Sequence, residues 1–249
     1  MTKLRMALVG AAAMAVAGMA SAAPAPYVGV NFTGGGNSIA AQSLDPADVA
    51  GVLPQANWNN VNGASGSGVA LKDANGNATP VTLTFSGAGT WSSGAGAATP
   101  NQKLMQGYVD GTDNGHNDYL FANVPAGVYN VLVYAQPDSG DGRDQSVIIN
   151  GVSGAAVYVS SDASSDFRNN GNVFVRATAT SKDGAGASGN YVEFDGISPV
   201  AGFISLQGQS LNFRNFANGI QLVQAPEPAT IGVLGVGAVG VLARRRRKE

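Results

Sequence analysis

Val124-Pro125-Ala126-Gly127-Val128-Tyr129-Asn130-Val131-Leu132-Val133-Tyr134-Ala135 is a tight turn followed by a run that is apolar on both faces. Pro125 presets the turn and Gly127 gives it backbone freedom. A run covered on both sides belongs in the middle of a sheet, so Val128–Ala135 reads as a central strand. The same period-2 logic extends outward. In Val81–Ser86, Val81, Leu83 and Phe85 point one way and Thr82, Thr84 and Ser86 the other, the pattern of a half-buried strand. Asp73-Ala74-Asn75-Gly76-Asn77 reads as the loop of a hairpin between Val69–Lys72 and that strand. Further strands are expected at Tyr27–Thr33, Tyr119–Val124, Gln145–Asn150, Ala156–Ser160, Asn172–Ala177, Tyr191–Phe194, Phe203–Gln207 and Gly219–Val223.

Helical signals are few. Asp45-Pro46-Ala47-Asp48 and Thr99-Pro100-Asn101-Gln102 each offer an N-cap residue followed by Pro at the first helical position. About ten short strands with Gly-rich turns and two short helices predict an all-β domain, a β-sandwich or jelly roll. The Gly-rich stretches Gly34–Gly36 and Gly87–Gly96 lack the Lys-Ser/Thr ending of a phosphate-binding loop and read as flexible loops.

Both ends of the chain are addresses. Lys3 and Arg5 precede an apolar Met6–Met19 stretch and the small-residue site Ala20-Ser21-Ala22, so residues 1–22 read as a signal peptide cut by signal peptidase. At the other end, Pro226-Glu227-Pro228 leads into the uncharged run Ala229–Ala243 and then Arg244, Arg245, Arg246, Arg247 and Lys248. As a helix that run would rise about 22 Å, short of a hydrocarbon core of about 30 Å. The short transmembrane helix would keep its basic block cytoplasmic and the preceding chain outside.

The tripeptide, the Gly-rich run and the Arg cluster together resemble the PEP-CTERM sorting signal of Gram-negative bacteria, also described as an ice-binding-protein C-terminal motif, a label that does not imply ice binding. The resemblance implies that residues 225–249 are recognised by an exosortase, a membrane transpeptidase. The inner membrane would hold the chain only transiently before release to the cell surface or an extracellular matrix rich in exopolysaccharide. Pro226, Glu227, Pro228 and Arg244 to Arg247 would carry sorting and processing.

Between these ends, residues 23–224 form one domain. The whole chain of 249 residues has a formal charge of −2. Seven of its 14 basic residues lie in the two ends with only Glu227 and Glu249 of its 16 acidic ones, so the domain carries 7 − 14 = −7. That charge disfavours nucleic acid as a partner. Cysteine is absent, which excludes thiol catalysis and Cys-zinc sites and leaves the exported domain to hold together by its core.

Val30-Asn31-Phe32, Asn57-Trp58-Asn59-Asn60, the Asp73–Asn77 loop, Val124–Tyr134 and Asn218-Gly219-Ile220-Gln221-Leu222-Val223 also resemble exported bacterial domains with a galactose-binding-like jelly roll. That fold recurs in glycan-binding modules.

Three groups of residues carry candidate chemistry. In Asn57-Trp58-Asn59-Asn60 an exposed indole flanked by amides would stack on a sugar; alternatively Trp58 plugs the sandwich while the asparagines cap turns, which is the preferred reading. Trp91 has the same two readings. Asp110, Asp113 and Asp118 in one Gly-containing loop, and Asp138 and Asp141 in another, are oxygen donors of the type a structural calcium ion takes, without the EF-hand spacing; exposed turns use the same residues. Arg143 there reads as an ion-pair partner. Glu193 and Asp195 share a strand face as a solvated pair and not as glycosidase carboxylates. The single histidine, His116, sits in a turn-like stretch with no nucleophile-elbow pattern. These residues give no catalytic set and require no cofactor. The expectation is an exported, non-catalytic surface or matrix protein that touches exopolysaccharide. The alternatives are a polysaccharide-modifying enzyme and a matrix or adhesion subunit without ligand.

Overall fold

The computed structural model describes residues 27–35, 42–138, 143–150, 157–160 and 164–225. The expected signal peptide, the transmembrane run, the Arg cluster and the Pro226-Glu227-Pro228 motif lie outside these residues. The chain is a β-sandwich. One sheet has five strands: β1 (Tyr27–Thr33), β2 (Asn59–Asn62), β8 (Tyr129–Tyr134), β11 (Tyr191–Ile197) and β14 (Gly219–Gln224), in the order β11-β8-β14-β1-β2. The other has six: β3 (Ser65–Lys72), β4 (Ala78–Ser86), β7 (His116–Ala122), β9 (Asp144–Ile149), β10 (Val157–Ser160) and β12 (Ile204–Ser210), in the order β10-β9-β12-β7-β4-β3. A small third sheet joins β5 (Gly89–Ser92), β6 (Gly107–Asp110) and β13 (Phe216–Ala217). The described helix α1 (Pro100–Leu104) carries the expected Thr99 cap with Pro100 behind it, closed as a capping box by Gln102.

Alternation builds the main core. Val28, Val30 and Phe32 of β1, Val131 and Val133 of β8, and Ile220 and Leu222 of β14 face Val81, Leu83 and Phe85 of β4 and Tyr119 and Phe121 of β7. Phe32 spans the two sheets, with ring centroids 5.3 Å from Phe85 and 5.5 Å from Tyr119. The other side of β8 is equally apolar, as its sequence requires. Leu132 and Tyr134 enter a second core with Leu44, Trp58, Leu104, Met105, Phe167 and Tyr191. That core is a layer of irregular chain and α1 laid over the outer face of the five-stranded sheet.

Some expectations need correction. Asp45–Asp48 is a single turn and not a helix, closed by Asp48 N–H to Asp45 O at 2.9 Å. Pro54 follows too soon for a helix to propagate, and Lys103 of α1 holds Asp48 at 2.7 Å. Asn172–Ala177 forms no strand. Its backbone is held by the side chain of Asn190, which accepts from Val175 N–H and donates to Val173 O, and only Arg176 bridges to Tyr191. Conversely, part of the Gly87–Gly96 stretch read as a flexible loop is strand β5, paired with β6 from Gly89–Asp110 to Ser92–Gly107.

Candidate functional site

The two sheets treat their outer faces differently, and this decides where a ligand can reach. Over the five-stranded sheet, Trp58 is buried, so the indole is not a sugar platform. Its Nε1 donates to Gln55 O at 3.0 Å and its ring meets Tyr134 edge-on at 6.0 Å. Gly29 of β1 makes room for it: a methyl group there would sit 2.7 Å from the indole and 2.3 Å from Gln55 Nε2. Tyr134 closes the layer, its hydroxyl donating to Gln221 Oε1 and accepting from Val52 N–H, both at 2.8 Å. Burial pushes the phenol well above its usual range, so it stays neutral.

The flanking amides are equally committed. Asn57 takes a left-handed backbone (φ 53°) and donates to Ala74 O. Asn59 donates to Gly29 O and Lys72 O and accepts from Lys72 N–H, which ties β2 to β1 and β3. Asn60 exchanges bonds with Leu44 and accepts from Asn31. The side chains of Asn57, Asn59 and Asn60 are therefore engaged by the scaffold, in keeping with the preferred of the two readings. Trp91, on β5, is half exposed and lies opposite buried Tyr108.

Among the described residues the acidic side chains of these loops do not converge on one point. Asp110 and Asp113 are held by one guanidinium, Arg214, at 2.6 and 3.1 Å. Burial raises the Asp110 carboxyl, and the bond from Arg214 works against this. Asp138 accepts from Tyr108 at 3.2 Å and pairs with Arg143 at 3.1 Å, while Arg143 stacks over Phe213 with its carbon 5.3 Å from the ring centroid. Asp118 lies on another surface, and Asp141 falls outside the described residues. Among the described residues no three His, Asp or Glu side chains converge to hold a metal ion. Arg214 reaches Asp110 and Asp113 from a distant part of the chain, whereas Arg143 pairs with Asp138 from the same loop. Glu193 and Asp195 are likewise paired, with Arg176 at 3.0 and 3.1 Å.

Among the described residues no such layer covers the outer face of the six-stranded sheet. Pairing places Thr84, Leu120 and Ser205 in one cross-strand row and Ser86, Asp118, Gln207 and Ile148 in the next. These residues line an open groove of about 410 Å³. Gln207 Nε2 donates to Asp118 Oδ1 at 2.9 Å, and His116 Nε2 stands 3.3 Å from Asp118 Oδ2, so the carboxylate is oriented from both sides. Hydroxyls, an amide and a carboxylate can exchange hydrogen bonds with a polyhydroxylated ligand while Leu120 and Ile148 meet its apolar faces. Each strand showed this polarity in its own alternation, as Thr84 and Ser86 do. Which polar faces align depends on strand order, which alternation does not encode.

Residues 224–248 match the PEP-CTERM protein-sorting motif. The chain thus carries the address of an exported protein that an exosortase sorts through a membrane-anchored intermediate. No curated protein matches the sequence. Solved structures similar to this one include a calcium-binding mutant of Bacteroides uniformis β-glucuronidase 2 (15% identity, TM-score 0.43), the match covering 80% of this chain and 18% of that one. The CBM35 from Cellvibrio japonicus Abf62 is similar at 12% identity and TM-score 0.31, over 48% of this chain and 75% of that one. TmCBM61 in complex with β-1,4-galactotriose is similar at 12% identity and TM-score 0.30, over 59% and 90%. The chain spans less than a fifth of the glucuronidase.

Proposed function

We propose that this is a non-catalytic protein of the cell surface or extracellular matrix, whose bare sheet face makes weak, repeated contacts with exopolysaccharide after sorting. The observation that carries the reading is the open groove that Thr84, Ser86, Leu120, Asp118, Ser205 and Gln207 line on the outer face of the six-stranded sheet. Among the described residues that line that groove Asp118 is the only carboxylate, whereas a glycosidase needs two flanking the scissile bond. This favours binding over hydrolysis. Signal peptidase and the exosortase would act on the two ends, with the inner membrane a temporary station.

Retention of the detergent-purified chain on immobilised exopolysaccharide tests the binding. The double variant Asp118→Ala/Gln207→Ala should lose about tenfold in retention, roughly 1.4 kcal/mol, at an unchanged melting temperature. Equal retention of wild type and variant would remove the groove from the function, and release of reducing sugar would point to an enzyme instead. Processing is tested separately: Pro226→Ala or Glu227→Ala should accumulate an uncleaved membrane form in cells.

A further inference from the structure

The sorting tail leaves from one end of the sandwich, where two uncharged turns lie beside the hairpin that carries Lys72 and Asp73. β14 ends at Gln224, and Ala225 N–H donates to Val128 O at 2.7 Å. Beside this exit, Val124 N–H donates to Gly202 O at 2.9 Å, which joins the turn before β8 to the turn before β12. The second turn is closed by pairing of Val200 with Phe203. Val128, Val200 and Phe203 are 44%, 64% and 43% exposed. Neither segment 121–130 nor 196–206 contains a charged residue. Ala201 adopts φ 51° at a turn position that Asn or Gly would fill more easily, and the tip stays apolar as a result. Next to it, Val28, Pro80, Val81, Val124, Pro125 and Leu222 line an apolar recess of about 130 Å³. The opposite end carries the Arg143–Asp138 and Arg214–Asp110 pairs.

From this geometry we infer that the apolar end rests in the interfacial layer of the bilayer while the tail is inserted, and so sets the position of the cleavage motif relative to the membrane. The inference depends on the sorting reading and is independent of glycan contact. Chain length supplies the reason. Only Ala225–Pro228 separate β14 from the uncharged run that starts at Ala229. Four extended residues reach about 14 Å, less than half the hydrocarbon thickness of about 30 Å. Once the run enters the bilayer, the end bearing Val128, Val200 and Phe203 is held at the headgroups. Apolar contact also suits a domain whose net charge would repel anionic lipid.

The absence of cysteine makes a direct test simple. Single variants Val200→Cys, Phe203→Cys, Ser86→Cys and Val236→Cys of the full chain are labelled with an environment-sensitive dye and reconstituted in phosphatidylcholine vesicles. Val236→Cys reports tail insertion and Ser86→Cys a water-facing surface. Labels at 200 and 203 should shift to the blue and be quenched severalfold more by a lipid-phase quencher than the label at 86. If they remain as wet as the label at 86 while the label at 236 is buried, the inference is overturned. A wet label at 236 overturns the membrane premise and the inference with it. Blue-shifted labels at 200 and 203 without vesicles, dependent on protein concentration, would mean that a second copy covers this end, and would overturn it too.

Discussion

The outer face of the five-stranded sheet and the outer face of the six-stranded sheet start from the same backbone geometry and end differently. One is roofed by Leu44, Trp58, Leu104, Met105 and Phe167; the other is open over Thr84, Leu120 and Gln207. The strand sequences impose the difference. β8 has Leu132 and Tyr134 on its outward side, which must be covered, whereas β4 and β12 put Thr, Ser and Gln outward. A protein that roofs one sheet and leaves the other bare separates stability from contact. Residues of the roof should affect folding, and residues of the open face should affect binding.

The largest effect is expected at Trp58. Trp58→Ala should cost about 3–5 kcal/mol in chemical denaturation, and any loss of polysaccharide retention should follow the unfolded fraction. A variant that stays folded but loses retention would return the indole to the ligand site. Next comes Asp166, whose carboxylate is fully buried and held by Arg168 and Asn169. Burial pushes this carboxyl up, but the Arg168 bonds outweigh burial and its pKa is lowered overall. A depressed folded pKa gives stability that is present above the unfolded value of about 4 and lost as pH falls through the folded one. Denaturation curves between pH 6 and 2 should therefore show Asp166→Asn losing stability near neutrality and the gap to wild type closing in acid. Tyr134→Phe strands the Gln221 acceptor and the Val52 donor and should cost about 1–3 kcal/mol, read as a lower melting temperature. The smallest change is expected on the open face. Leu120→Lys should move stability by no more than about 0.5 kcal/mol while reducing retention on exopolysaccharide. A large loss of stability there would mean that the bare face is also structural.

Alternation made most of the sandwich legible. Val81–Ser86 declared one buried and one polar face, Val128–Ala135 declared two buried ones, and both lie where those patterns require. Strand β2 escaped because Asn59, Asn60 and Asn62 bring amides where a strand usually brings apolar side chains. It is held to β1 by ladder and side-chain bonds together. The roof was legible in part. A buried Trp58 was the preferred reading of Asn57-Trp58-Asn59-Asn60, but the slot that Gly29 leaves for the indole depends on a residue distant in sequence. Arg143 is five residues from Asp138 and was readable as an ion-pair partner, whereas Arg214 reaches back to Asp110 and Asp113 from about a hundred residues away and the loop around Asp110 contains no sign of it. The C-terminal address was readable in full because it is linear.

The pairing of β1 with β14, Tyr27 against Val223 and Asn31 against Gly219, has a consequence for timing. The first strand of the domain has its antiparallel neighbour in the last, so the five-stranded sheet cannot close until nearly the whole domain has crossed the membrane. Contacts of such long sequence separation form slowly. Completion of the fold is thereby delayed to the moment when the sorting tail arrives, and the chain stays threadable for as long as it has to be threaded.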